Sequence, residues 1–254
     1  MENLKNKEKI VSILEEIINV NSKIVGTIFK KEIFEEVLFQ TNQYYFTNGS
    51  LFKSETFSLD TNQKILKEYS NGKLLSDKEL DKYGCISYKT IQEYDINGNI
   101  ILRQTDFTGS STYKHEYINS YDNQSKLIKI KCSTNSKFEY TEDICHDSNN
   151  NISLIWRRDS NNNEIYKRNN YYNYFNQPFK GIGVDYENGN RIRFEHLYEY
   201  NNNGDVSVYT SSKNDKKKIT KYEYKYDYQS NWIEKKQFQE NCLIKIFKRS
   251  INYR

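Results

Sequence analysis

A turn signal recurs along this chain at almost constant spacing, and few folds can absorb such a beat. It consists of an aromatic residue, an Asp or Asn, a short Gly/Asn-rich stretch and an apolar residue; Tyr94-Asp95-Ile96-Asn97-Gly98-Asn99-Ile100 is the clearest copy. Others are Tyr121-Asp122 leading to Leu127, His146-Asp147 to Ile152, Tyr200-Asn201 to Val206, and Tyr226-Asp227 to Trp232. A degenerate copy runs from Asn173 to Phe179, and an earlier one is Tyr69-Ser70-Asn71-Gly72-Lys73-Leu74. The closing apolar residues stand at 100, 127, 152, 179, 206 and 232, in steps of 27, 25, 27, 27 and 26. A fixed period of this size marks a repeat architecture, in which each unit buries its apolar side by stacking on the next.

A second turn falls near the middle of each repeat, at Phe107-Thr108-Gly109-Ser110, Thr134-Asn135-Ser136, Asn161-Asn162-Asn163, Glu187-Asn188-Gly189-Asn190, Lys213-Asn214-Asp215 and Glu240-Asn241. One repeat is therefore a hairpin of two strands, with about eight residues per arm. Alternation supports this. Tyr222, Tyr224, Tyr226 and Tyr228 face one way, and Glu223, Lys225 and Asp227 the other. Ile192, Phe194, His196, Tyr198 and Tyr200 oppose Arg191, Arg193, Glu195 and Glu199 in the same manner. Such strands suit an antiparallel sheet with one buried side. The expected fold is mainly β: a long antiparallel meander of two-strand repeats, curled into a spiral, shell or open barrel because wide sheets do not stay flat.

The first residues read differently. Ile10, Ile13, Leu14, Ile17 and Ile18 lie at i, i+3, i+4, i+7 and i+8, an amphipathic helical stripe. This predicts an N-terminal helix over residues 1–21, capping or plugging a repeat domain over 22–254. The stretch from Phe34 to Phe39 is expected to be strand, and Gly181-Ile182-Gly183 a bulge or kink.

Mean hydropathy is low at −0.95, yet aromatic residues make up 15% of the chain, including 23 Tyr. Disordered chains are poor in aromatics, so these numbers describe an ordered fold whose Tyr rings bury their faces and keep their hydroxyls wet. The net charge of +4 comes from interleaved signs, and a pI near 8.6 is not the strongly basic footprint of a nucleic-acid binder. Cys85, Cys132, Cys145 and Cys242 are scattered without metal-like spacing and fit free thiols in a reducing compartment. With no signal-peptide pattern or transmembrane-length apolar run, the expectation is a soluble cytoplasmic protein that does not contact membrane.

The Tyr-Asp dipeptide followed by Gly/Asn and an apolar residue resembles the YD repeat of RHS-type proteins, carried by Tyr94-Asp95, Tyr121-Asp122 and Tyr226-Asp227 and covering roughly residues 60–254. The resemblance implies a spiralling β-sheet. It also implies a role near polymorphic toxin systems, as an immunity protein that binds and occludes a cognate toxin.

No catalytic signature is present, and no catalytic residue, metal or cofactor is expected. His115, His146 and His196 read as ladder residues within strands. Binding is better supported. Trp156-Arg157-Arg158 and Arg191-Ile192-Arg193, with Tyr198 and Tyr200 downstream, combine the residue types enriched at interface hot spots. The plainer reading makes the aromatics core and the arginines solvated. Trp156, Arg157, Arg158, Arg191, Arg193, Tyr198 and Tyr200 are therefore the candidate contacts to a protein partner, the cognate toxin. A carbohydrate ligand stacked on the Tyr and Trp rings is the alternative.

Overall fold

The computed structural model describes residues 4, 10–25, 31–48, 50–187 and 189–253. Its strands are β1 (Ile10–Val25), β2 (Lys31–Thr47), β3 (Ser50–Ser58), β4 (Gln63–Ser70), β5 (Lys73–Leu80), β6 (Ile86–Tyr94), β7 (Ile100–Phe107), β8 (Thr112–Tyr121), β9 (Leu127–Thr134), β10 (Lys137–His146), β11 (Ile152–Asp159), β12 (Glu164–Tyr172), β13 (Pro178–Glu187), β14 (Asn190–Tyr200), β15 (Val206–Lys213), β16 (Lys216–Tyr226), β17 (Trp232–Gln239) and β18 (Cys242–Tyr253). They belong to one 18-stranded sheet, and β1 pairs antiparallel with both β2 and β18. The fold class is thus a closed antiparallel β-barrel. This corrects the expected open spiral with an N-terminal helix: no helix occurs among the described residues.

Two compact units divide the chain. The first comprises Met1–Lys89, Asn201–Ser207 and Thr220–Arg254; the second comprises Thr90–Tyr200 and Val208–Ile219. In the first unit, β16, β17, β18, β1, β2, β3, β4 and β5 pair in that order.

The N-terminal stripe became strand for identifiable reasons. Its β-branched residues favour extended backbone, and partners on both sides satisfy its peptide groups. A bulge produces part of the helical spacing. Against β18 the register breaks between Ile10 and Ser12, where β1 carries the extra residue and its parity shifts. Against β2 it breaks between Ile17 and Ile18, where the extra residue is Phe39 of β2; β1 itself runs regularly there, so Ile13 and Ile18 lie on opposite sides of the sheet. Ile10, Ile13 and Ile18 are all buried although their spacings of three and five do not fit a period of two. Leu14, on the expected apolar stripe, is 39% exposed. Residues 1–3 and 5–9 of the expected helix lie outside the described residues.

A buried ion pair sits on the β1–β18 seam. Arg249 Nε donates to Glu15 Oε2 at 2.9 Å, with side chains only 5% and 9% exposed. Asn42 on β2 donates to the other Glu15 oxygen at 3.1 Å, and Thr56 on β3 donates to Asn42 Oδ1 at 2.9 Å. The Arg249 guanidinium lies 3.3 Å from the centre of the Trp232 ring, which is buried. Both Glu15 oxygens therefore have donors, which a buried carboxylate requires.

The recurring turn has a specific construction. At Asp147, Oδ1 accepts the N–H of Asn149 at 2.9 Å and of Asn151 at 2.8 Å, while the Asp147 N–H donates to the Asn151 carbonyl at 2.9 Å. The same side-chain acceptor serves the second and fourth residues beyond Asp81, Asp122, Asp159, Asn173, Asn201 and Asp227. The third residue beyond each of these is left-handed, for example Asn150 at φ 73° and Gly204 at φ 84°. Gly, Asn and Ser recur there because few side chains tolerate that backbone. The mid-repeat turns at Asn135-Ser136, Asn214-Asp215 and Glu240-Asn241 have positive φ at both residues, the requirement of two-residue I′ hairpins, and so does Asn71-Gly72, expected as an early copy of the recurring turn. Asn188 in the corresponding expected turn lies outside the described residues.

Tyrosine joins one repeat to the loop before it. The Tyr121 hydroxyl donates to Asp95 Oδ2 and the Tyr253 hydroxyl to Asp227 Oδ2, each across 26 residues. Asn99 and Asn231 donate back to those hydroxyls at 3.0 and 2.9 Å. Tyr226 donates to Asp205 at 2.8 Å. Burial, then the Asp227 carboxylate, push the Tyr253 hydroxyl up to about 12.

The loop carboxyls are held below the usual carboxylate range. Burial opposes ionisation at Asp95 and Asp147, but hydrogen bonds from Tyr121, Asn119 and the Asn99 N–H at Asp95, and from Asn151 at Asp147, outweigh it. The Lys126 N–H lowers Asp122, and the Asn163 side chain lowers Asp159. With folded values below the unfolded one of about 3.9, these groups contribute stability that is present above pH ~4 and lost as pH falls through the folded values. Thermal unfolding between about pH 5 and pH 2.5 should show a falling midpoint; a flat profile would contradict the loop chemistry. Asn201→Ala removes the one oxygen that accepts two backbone N–H groups, and a donor to Tyr226. It should cost about 1–2 kcal/mol in denaturant titration, with the strand content unchanged.

Candidate functional site

All seven expected contact residues lie in the second unit, where β7 to β14 pair in sequence order. Directly paired residues share a side of the sheet, so the register sorts the candidates. One cross-strand row is Asp143–Trp156–Lys167–Val184–Arg193. A row on the opposite side is Glu142–Arg157–Tyr166–Asp185–Ile192. Trp156, Arg158, Arg191 and Arg193 therefore occupy one face, and Arg157, Tyr198 and Tyr200 the other. The sequence pattern alone does not separate the two groups.

Arg157 and Arg158 already have partners. Arg157 donates to Glu142 Oε2 from Nε at 3.0 Å and from Nη2 at 2.7 Å, and its guanidinium lies 4.3 Å from the Tyr140 ring centre. Arg158 pairs with Asp143, donates to Asn162 at 2.8 Å and covers the Trp156 ring at 4.4 Å. Lys167 approaches the same indole at 5.6 Å. Trp156 is therefore part of the sheet's wall.

Arg191 and Arg193 differ. Both are exposed, and among the described residues neither side chain has an ion pair. Beside them is a cavity of about 400 Å³ lined by Glu164, Lys167, Asn169, Ile182, Gly183, Val184, Arg191, Arg193 and Phe194. Its lining carries three cations and one carboxylate around an apolar Ile182–Val184 floor.

On the opposite face the aromatics pack on one another. Tyr166 stacks on Phe194 at 5.8 Å, Tyr198 on Tyr209 at 5.1 Å and His196 on Tyr209 at 5.8 Å, with the Tyr209 hydroxyl 2.6 Å from His196 Nδ1. Burial, then Arg168, hold His196 below its ordinary value, so the ring stays neutral at pH 7. The Tyr200 hydroxyl is committed to the Pro178 carbonyl at 2.6 Å. A second cavity, about 500 Å³, is lined by Glu142, Ile155, Arg157, Ile165, Tyr166, Asp185 and Tyr186. Histidine lines neither cavity. Gly181-Ile182-Gly183 is not a bulge, since its pairing runs without a break on both sides. A Cβ at Gly183 would run into the Lys167 carbonyl and lie 2.6 Å from Phe194 Cζ; at Gly181 it would lie 3.0 Å from the Arg168 guanidinium.

Two features escaped the sequence reading. Tyr174 and Phe175, at the loop joining β12 to β13, are 95% and 77% exposed and meet edge to face at 5.7 Å. Two aromatics in a loop whose geometry needs neither were the available signal. His115, Cys132 and Glu139 converge from three neighbouring strands, with donor atoms within 4.8 Å of one another. Their spacing resembles no metal motif, and only strand register brings them together.

No family model and no curated protein matches this chain. Among solved structures it is similar to a porin-like protein from Bacteroides uniformis, at 8% identity and TM-score 0.46, over 95% of this chain and 96% of that one. It is also similar to the TcdB2–TccC3 structure, at 11% identity and TM-score 0.36, over 89% of this chain and 15% of that one. Likeness at this level says nothing about activity.

The two arginine classes make a direct prediction. Arg157→Ala leaves the buried Glu142 carboxylate without its partner and should destabilise the protein by about 2–3 kcal/mol. Arg191→Ala should stay within about 0.5 kcal/mol. Chemical denaturation of the two variants distinguishes a structural arginine from one available for binding.

Proposed function

We propose that this chain is a non-enzymatic protein-binding module that engages an acidic partner surface through Arg191 and Arg193. The observation that carries the reading is the pair of exposed, unpaired arginines at a cationic cavity with an apolar floor. Arginine supplies planar, multidentate recognition of carboxylates, and an apolar floor adds desolvated contact area. The cognate toxin of a polymorphic toxin system is the specific partner proposed, with occlusion of its active site as the mechanism. The Tyr-Asp loop chemistry supports that choice.

The proposal includes a soluble, cytoplasmic setting. Both faces of the second unit's strands carry charge, with Glu142, Arg157 and Arg168 on one and Lys129, Asp143, Lys167 and Arg193 on the other. A basic side chain facing lipid at mid-bilayer costs about 2–4 kcal/mol. Carbohydrate stacking draws no support from rings whose faces are already occupied, as those of Trp156 and Tyr198 are.

The test is co-purification of the full chain with the product of a neighbouring toxin-like gene, together with protection of cells by co-expression. Arg191→Glu combined with Arg193→Glu should weaken the complex by about tenfold or more, and added salt should weaken the unsubstituted complex. A complex indifferent to both would remove the assigned surface. Absence of both complex and protection would remove the toxin-binding reading.

A further inference from the structure

The convergence of His115, Cys132 and Glu139 is built by the sheet. Cys132 on β9 is paired on one side with Tyr117 of β8 and on the other with Tyr140 of β10. His115 is paired with Thr134, two residues along β9 from Cys132, so imidazole and thiol share a face. Glu139 arrives by a different device. Phe138 pairs with Ser133 and Tyr140 with Cys132, so one step on β9 spans two on β10, and Glu139 is the extra residue. A bulge of this kind re-aims a side chain that regular alternation would send elsewhere.

One of the three donors is also oriented from behind. Thr134 Oγ1 lies 2.7 Å from His115 Nδ1 and fixes the ring. Metal-binding histidines are held by outer hydrogen bonds in this manner. Cys132 is 1% exposed, His115 half-buried and Glu139 exposed, so the cluster runs from the packed sheet towards solvent.

We infer that His115, Cys132 and Glu139 form a site for a zinc-class divalent transition metal, with a fourth position open to water or to a partner's side chain. The donor set is one sulfur, one nitrogen and one oxygen, which suits borderline-soft zinc better than magnesium or calcium. Thiolate and carboxylate together balance the two positive charges. Binding displaces the thiol proton to solvent, and no redox step is involved. The site rests on residues separate from Arg191 and Arg193 and stands or falls independently of the partner-binding reading.

The experiment is titration of the chelator-treated full chain with Co²⁺, followed by absorbance, and with Zn²⁺, followed by calorimetry. The expected result is one equivalent bound, with a thiolate-to-cobalt charge-transfer band that Cys132→Ser abolishes. Cys85→Ser, Cys145→Ser and Cys242→Ser should keep the band. Glu139→Gln, at an exposed position that leaves folding intact, should weaken Zn²⁺ binding by about tenfold or more, and Thr134→Val by about tenfold. No binding, a band that survives Cys132→Ser, or Zn²⁺ affinity unchanged by Glu139→Gln would each overturn the site. If Cys132→Ser does not fold, Glu139→Gln decides.

Discussion

Each repeat depends on one side-chain oxygen that accepts two backbone N–H groups. An Asp or Asn at the first loop position satisfies donors that would otherwise be left without partners where the strand ends, and this fixes the loop at one length. Fixed loop length sets the register of the strands that follow, and register decides which residues share a face. When the residue is Asp, its second oxygen is free to accept a tyrosine hydroxyl from the next repeat, as Asp95 does from Tyr121. The Tyr-Asp dipeptide is thus two halves of two contacts, the Asp serving its own loop and the Tyr the loop before it.

Register also explains why the second unit offers two unlike surfaces. Arg157 and Arg193 lie in comparable aromatic and basic surroundings, but on opposite sides of the sheet. The first is locked to a buried carboxylate and a Tyr ring, while the second reaches outward beside a cavity. Charge alone does not mark a binding residue; charge left without an internal partner does. Phe194 and Gly183 illustrate the packing side of the same rule, since the ring fills the space that a Cβ would need.

The loops were legible in the sequence because their chemistry is local. Asp or Asn, then a residue able to adopt positive φ three positions on, is visible from Asp95 with Gly98 to Asp227 with Ser230, including Asn173 with Asn176. The strands from residue 42 onward followed from alternation between such loops. What was hidden is non-local. One bulge in β1, and burial of Ile13 and Ile18 on opposite sides of the sheet, disguised a strand as a helical stripe, because an inserted residue breaks the period-two pattern without leaving a compositional trace. Pairing of β1 with β18 joins segments with no shared motif. The division of Arg157 from Arg193 required knowing which residue stands opposite which. His115, Cys132 and Glu139 meet only after a register break that no spacing rule encodes.

The seam between the first and last strands has a consequence for biogenesis. Glu15 and Arg249 are 234 residues apart. At synthesis rates of roughly 5–20 residues per second, the acid emerges some 10–50 s before its base exists. During that interval the nascent chain holds a strand with one unpaired border and a carboxylate awaiting its counter-ion. The pairing of β1 with β18 therefore forms only once the last strand has been synthesised.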